Sequence, residues 1–103
     1  MVNVIIYLKK EHNPNELVKF LLSEKLIASA SIDENNVSYE LGDTGFSEVI
    51  CSVITAQSKA LLFNLIVKAV EEKLGEETPI NSTPIVGSNK IFDSIIRTKT
   101  IQV

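Results

Sequence analysis

The sequence predicts a single α+β domain whose helices cover one face of an antiparallel sheet. Three observations carry this. Strand-like apolar alternation appears near the start of the chain and again on both sides of a Gly-containing loop. Two stretches, 14–25 and 58–74, repeat apolar residues at helical spacing instead. The resulting order of strand, helix, strand, strand, helix, strand is that of a split βαβ unit. A chain of 103 residues fits one such domain.

The first strand is read over 2–9. Val4, Ile6 and Leu8 fall on one side, Ile5 and Tyr7 on the other, so both faces are apolar and the strand is central. Asn13, Pro14 and Glu16 form a helix start, with a capping amide, a proline at the first helical position and an acid in the first turn. Leu17, Phe20 and Leu21 then share one face, and the helix ends near Lys25.

A long strand is expected over 26–39. It carries small residues at Ala28, Ser29, Ala30 and Ser31 and a bend at Asp33, Glu34, Asn35 and Asn36. Residues 41–45, with two glycines, are the hairpin loop. The returning strand spans 46–56, with Val49, Cys51 and Val53 on one face and Ile50 and Ile54 on the other. The second helix is expected from Ser58 to Leu74, stopped by Gly75. Its acidic end, Glu71, Glu72, Glu76 and Glu77, opposes the helix dipole. A short edge strand is placed at 84–87, a last helix at 90–97 and another edge strand at 98–103.

With all helices on one side, Ile5, Tyr7, Ile50 and Ile54 are assigned to the uncovered face. Monomers avoid an exposed apolar patch of that kind. Burying four such side chains is worth roughly 6–12 kcal/mol, so the expectation is oligomerisation through the sheet.

Composition narrows the function classes. A net charge of −3, with no clustered Lys or Arg, argues against nucleic acid and anionic membranes. No apolar run approaches the length of a membrane span, and the N-terminal stretch has its lysines after the apolar residues, unlike a secretory signal. One cysteine allows no internal disulfide, which suits a reducing, cytoplasmic setting.

Neither a catalytic pair nor a metal motif stands out. Cys51 reads as a buried structural thiol, and His12 as a solvated loop residue remote from any partner in sequence. The 33–36 bend offers oxygen atoms without the glycine spacing of a calcium loop, and the Glu71–Glu77 acids read as a charged helix end, with weak divalent-metal binding as the alternative. Gly87, Ser88 and Asn89 open a helix with only Lys90 as a nearby cation, a weak anion-binding signal. The chain is therefore expected to be non-enzymatic, with no cofactor.

The arrangement resembles the CutA divalent-cation-tolerance family, small ferredoxin-like trimers related in fold to the nitrogen-regulatory signal proteins. The stretch from Glu24 to Ala30 is similar to that family's E-K-L-A-A-C. Tyr39 and Gly42 fall on its Y-x-W-x-G hairpin, and Glu48, Val49, Ile54 and Thr55 on its E-V…K-T strand. Thr78, Pro79, Pro84, Ile85 and Gly87–Asn89 fall on its P-E…P-I…G-N segment. The resemblance implies a homotrimer in which the hairpin reaches across a neighbour, with Tyr39, Glu40 and Glu48 at an intersubunit cleft. The family's cysteine falls on Ser29, its histidine near Leu74, its tryptophan on Glu40 and its lysine on Ile54, so its soft-metal ligands are missing here. The expected role is non-enzymatic binding or signalling linked to divalent-cation tolerance. The alternative is a small-molecule or nucleotide-responsive regulator of the nitrogen-regulatory type.

Overall fold

The computed structural model describes residues 1–103. The strands are β1 (Val2–Lys9), β2 (Ser29–Gly42), β3 (Gly45–Ser58) and β4 (Ile80–Pro84), and the helices α1 (Pro14–Ser23), α2 (Phe63–Leu74) and α3 (Lys90–Lys99). The four strands form one antiparallel sheet in the order β2-β3-β1-β4. This is the predicted βαββαβ order, with α1 and α2 each crossing over one intervening strand and α3 following β4.

The core lies between the sheet and α1 and α2. Val4, Ile6 and Leu8 of β1 and Ile54 and Ala56 of β3 meet Leu17 and Leu21 of α1 and Leu62, Ile66 and Val70 around α2. Each of these is almost fully buried, and they are aliphatic throughout.

Local chemistry sets the boundaries. The Asn13 side chain caps α1 by accepting from the amides of Asn15 (2.9 Å) and Glu16 (3.2 Å). At the other end, Lys25 N–H donates to the Leu22 carbonyl and Leu26 N–H to the Leu21 carbonyl. Lys25 itself has φ of 56°, so α1 closes in a Schellman motif with lysine at the left-handed position. Gly75, at φ of 76°, closes α2 as expected. The hairpin turns through Asp43 and Thr44, with Gly42 opposite Gly45 as the last pair. The bend foreseen at 33–36 is a bulge, where the β2–β3 register shifts between Asp33 and Asn36.

Five expectations are corrected. Ile54 pairs with Ile6 and is fully buried under the helices, so it does not lie on the uncovered face. Ile50 shares its parity and also points to the helix side, in a part of the hairpin that no helix reaches; it is about half exposed. The pairings Tyr7 with Val53 and Lys9 with Cys51 show that Val49, Cys51 and Val53 share the uncovered face with Ile5 and Tyr7. Strand alternation grouped the residues properly, but only the cross-strand register says which group meets the helices.

Ser58 does not start α2. It ends β3, and its hydroxyl donates to the Leu26 carbonyl at 2.6 Å, after which a 3₁₀ turn at Ala60–Leu62 leads into the helix. The last strand runs upstream of its expected place, over Ile80–Pro84, and ends where it was expected to start; beyond it the Ile85 N–H still donates to the Met1 carbonyl. Residues 101–103 add no strand. Ile101 instead donates its N–H to the Lys25 carbonyl, closing the tail against the end of α1.

Beyond the helices, β2 and β3 continue as a bare two-stranded arm. Val37, Tyr39, Leu41, Phe46 and Ile50 form an unpartnered apolar row along its helix-side face, with Phe46 84% and Leu41 78% exposed. The molecule is accordingly long, 49 × 29 × 20 Å, and its radius of gyration of 14.6 Å exceeds the roughly 13 Å of a compact 100-residue domain.

Candidate functional site

The uncovered face of the sheet holds a hollow of about 540 Å³ where the end of β1 meets the base of the arm. Strand pairing builds it. Tyr7 and Lys9 of β1, Val49 and Cys51 of β3, and Ser38 and Glu40 of β2 all project to this side, and Pro79 closes the edge. Its floor is apolar and its rim is charged, the usual make-up of a small-ligand site. Lys10 lines the same rim and donates through Nζ to the Glu34 carbonyl in the bulge.

A polar network adjoins the hollow at the end of β1. Lys9 Nζ lies 2.7 Å from Glu76 Oε1, and His12 Nε2 lies 2.5 Å from Glu76 Oε2. A carboxylate can only accept, so His12 carries its Nε2 proton in this arrangement. The Lys9 hydrogen bond, followed by that of His12, holds the Glu76 carboxyl below its ordinary range. The same Lys9–Glu76 hydrogen bond raises the lysine. With Glu11, the ligating atoms of His12 and Glu76 all lie within 4.8 Å of one another.

The fold explains why these residues meet. Gly75 ends α2 in a left-handed turn and directs Glu76 away from the helix axis. The turn after β1 is fixed by His12 N–H donating to the Lys9 carbonyl and by the Asn13 cap. The acidic end of α2 also finds its account here: Glu71 accepts from the Thr78 amide at 3.1 Å, while Glu76 lies outside the helix between Lys9 and His12.

Two sequence expectations change. His12 is not a solvated loop residue, since its side chain is only 19% exposed and is bonded to Glu76. Glu76 is one arm of that network, not merely part of a charged helix end. The 33–36 oxygens do not converge on an ion site. Asp33 accepts from the Asn35 amide, and Asn36 Oδ1 accepts from the Ser38 hydroxyl and, at 3.9 Å, from the Cys51 thiol. Cys51 is buried and unpaired with any disulfide partner. Ser29, where the resemblance places a cysteine, donates to Gln57 Oε1 at 2.6 Å.

Tyr39, Glu40 and Glu48 are divided between two faces. Glu40 lines the hollow, whereas Tyr39 and Glu48 point to the helix side of the arm and join through a 3.3 Å hydrogen bond from the tyrosine hydroxyl. Sequence reading did not single out Lys9, Lys10 or Glu11, and it placed Pro79 only in the family-like segment that follows α2. Sequence spacing gives no sign of the Glu11–His12–Glu76 grouping, because topology alone brings the end of β1 to the end of α2.

No helix is long and apolar enough to cross a membrane. No protein-family model matches the chain, and no curated protein matches it in sequence. Solved structures match over nearly its whole length. CutA1 from Oryza sativa superposes with a TM-score of 0.89 at 16% identity, covering 99% of this chain and 94% of that one. The divalent cation tolerance protein CutA1 from Thermus thermophilus gives 0.85 at 20% identity over 97% and 99%. The periplasmic divalent cation tolerance protein CutA from Archaeoglobus fulgidus gives 0.83 at 20% over 96% and 98%. At these identities the likeness is one of fold, and it agrees with the resemblance read from the sequence: the chain has the ferredoxin-like fold of the CutA1 divalent cation tolerance proteins.

Proposed function

We propose that this chain is a CutA-like divalent-cation-tolerance protein, a non-catalytic homotrimer that acts as a binding or signalling module. The observation that carries this reading is the likeness of fold to divalent cation tolerance proteins over 96–99% of the chain. The bare apolar arm supports the assembly, since no helix covers its five large side chains, which stay roughly half to four-fifths exposed. In such a trimer the arm of one chain lies against its neighbour. The Tyr39–Glu48 pair then faces the junction, and Glu40 and the hollow lie beside it. No nucleophile and base are paired in the hollow: Cys51 is bonded to Asn36, and His12 is turned to Glu76.

Light scattering of the purified chain tests the assembly. The expected mass is three times the 11.4 kDa chain; a monomer at micromolar concentration overturns the proposal. A second reading, a nucleotide-responsive regulator, draws on Lys9 and Lys10 at the rim of the hollow. An ATP-induced rise in melting temperature supports it, and its absence removes it.

A further inference from the structure

The Glu11, His12 and Glu76 side chains make up a donor set that the apolar floor of the hollow does not use. We propose that they bind a first-row divalent cation of the Zn²⁺ class, one ion per chain, in exchange for the Lys9 contact on Glu76. This deepens the divalent-cation reading above and rests on it only for the class of ligand.

The chemistry of the set selects the ion. One imidazole nitrogen and two carboxylates suit zinc and its neighbours, whereas magnesium prefers oxygen alone. Three protein ligands leave a position for water, the usual pattern of an open zinc site. Donor atoms about 2 Å from a tetrahedral ion stand about 3.3 Å apart. His12 Nε2 and Glu76 Oε2, at 2.5 Å, need only to spread, and the Glu11 carboxylate, already within 4.8 Å of both, needs only to swing inward.

The surroundings favour positive charge at this point. Glu76 already holds two donors, the Lys9 ammonium and the His12 N–H. The openings on either side of His12 are lined by Glu16 on one side and Glu77 on the other, against a single further cation, Lys73. Lys9 is two-thirds exposed, so it can release Glu76 and turn to water without unpacking anything. Binding moves the ring proton of the neutral His12 imidazole from Nε2 to Nδ1, so that the Nε2 lone pair faces the ion. Both supporting segments are anchored by backbone hydrogen bonds, the turn before α1 and the left-handed end of α2.

This arrangement predicts that Lys9 competes with the metal. The experiment is calorimetric titration of the chelator-stripped full chain with ZnCl₂. The wild type should bind one Zn²⁺ per chain, and E76Q, H12A and the more conservative H12Q should each weaken binding at least tenfold. K9M, which frees Glu76, should tighten binding, an effect that a purely structural ion pair does not produce. C51S should bind as the wild type does. Wild-type affinity in both His12 variants, weaker binding in K9M, loss of binding in C51S, or MgCl₂ competing on equal terms with zinc each overturns the site. Light scattering of the same samples separates this proposal from the assembly: a trimer without zinc binding rejects the site alone, and a monomer that binds zinc rejects the trimer alone.

Discussion

His12 and Glu76 stand 64 positions apart, yet they share one hydrogen bond, and Lys9 holds the other carboxylate oxygen. The pH dependence of this network follows from the directions of the shifts. The folded pKa of Glu76 is lowered, first by the Lys9 hydrogen bond and then by that of His12. Its contribution to stability is therefore complete above the ordinary carboxylate range and is lost as pH falls through the lowered value. Lys9 is raised, chiefly by its hydrogen bond to Glu76, so its contribution is complete below the ordinary lysine range and is lost as pH rises through the raised value. Melting curves of wild type and E76Q in the presence of EDTA should differ by a constant amount across neutral pH and converge at the acid end. A gap that persists well below the carboxylate range rejects the assignment. Lys9 is two-thirds exposed, so the effect is a small one.

At the scale of the elements, much was legible wherever a single residue decides. The boundaries of β1 follow from its apolar alternation, and the Asn13 cap, the stop at Gly75 and the bulge near 33–36 from asparagine and glycine at positions with few alternatives. What failed needed knowledge of a partner. Ser58 looks like a helix start until its hydroxyl is seen on the Leu26 carbonyl. β4 is mostly polar, with only Ile80 turned partly inward, so nothing in 80–84 alternates strongly enough to mark a strand. The Glu11–His12–Glu76 grouping was illegible for the same reason. Helix α1 offers a test of this local logic. Lys25 occupies the left-handed position of the Schellman motif, a conformation that costs a side-chain-bearing residue about 1–2 kcal/mol. K25G keeps the backbone bonds to Leu22 and Ile101 and should stabilise the protein by about 1 kcal/mol, less the entropy that glycine adds to the unfolded chain. Denaturant titration checks this, and a loss of stability would mean that the lysine side chain holds something the backbone does not.

For the whole molecule the question is what the arm is for. Its five side chains, Val37, Tyr39, Leu41, Phe46 and Ile50, are roughly half to four-fifths exposed, and covering what remains is worth roughly 5–10 kcal/mol. Association costs about 4–15 kcal/mol before any gain appears. The arm alone is thus barely sufficient, and a stable assembly also needs the uncovered face, where Ile5, Tyr7, Val49 and Val53 lie together. The proposed trimer has both available: the helix side of one arm and the open sheet of the next chain. Phe46 and Val53 sample the two surfaces separately, because Phe46 lies near the arm tip, 84% exposed, and Val53 sits beside Tyr7 on the sheet. Neither belongs to the buried core. F46D and V53D should therefore each leave the circular dichroism of the domain intact while placing an unpaired charge in the interface, at a cost of several kcal/mol. The expected result is a light-scattering mass of one chain for both variants. If F46D alone dissociates, the arm meets its neighbour somewhere other than the open sheet. If neither does, the apolar row on the arm has another occupant and the trimer is wrong.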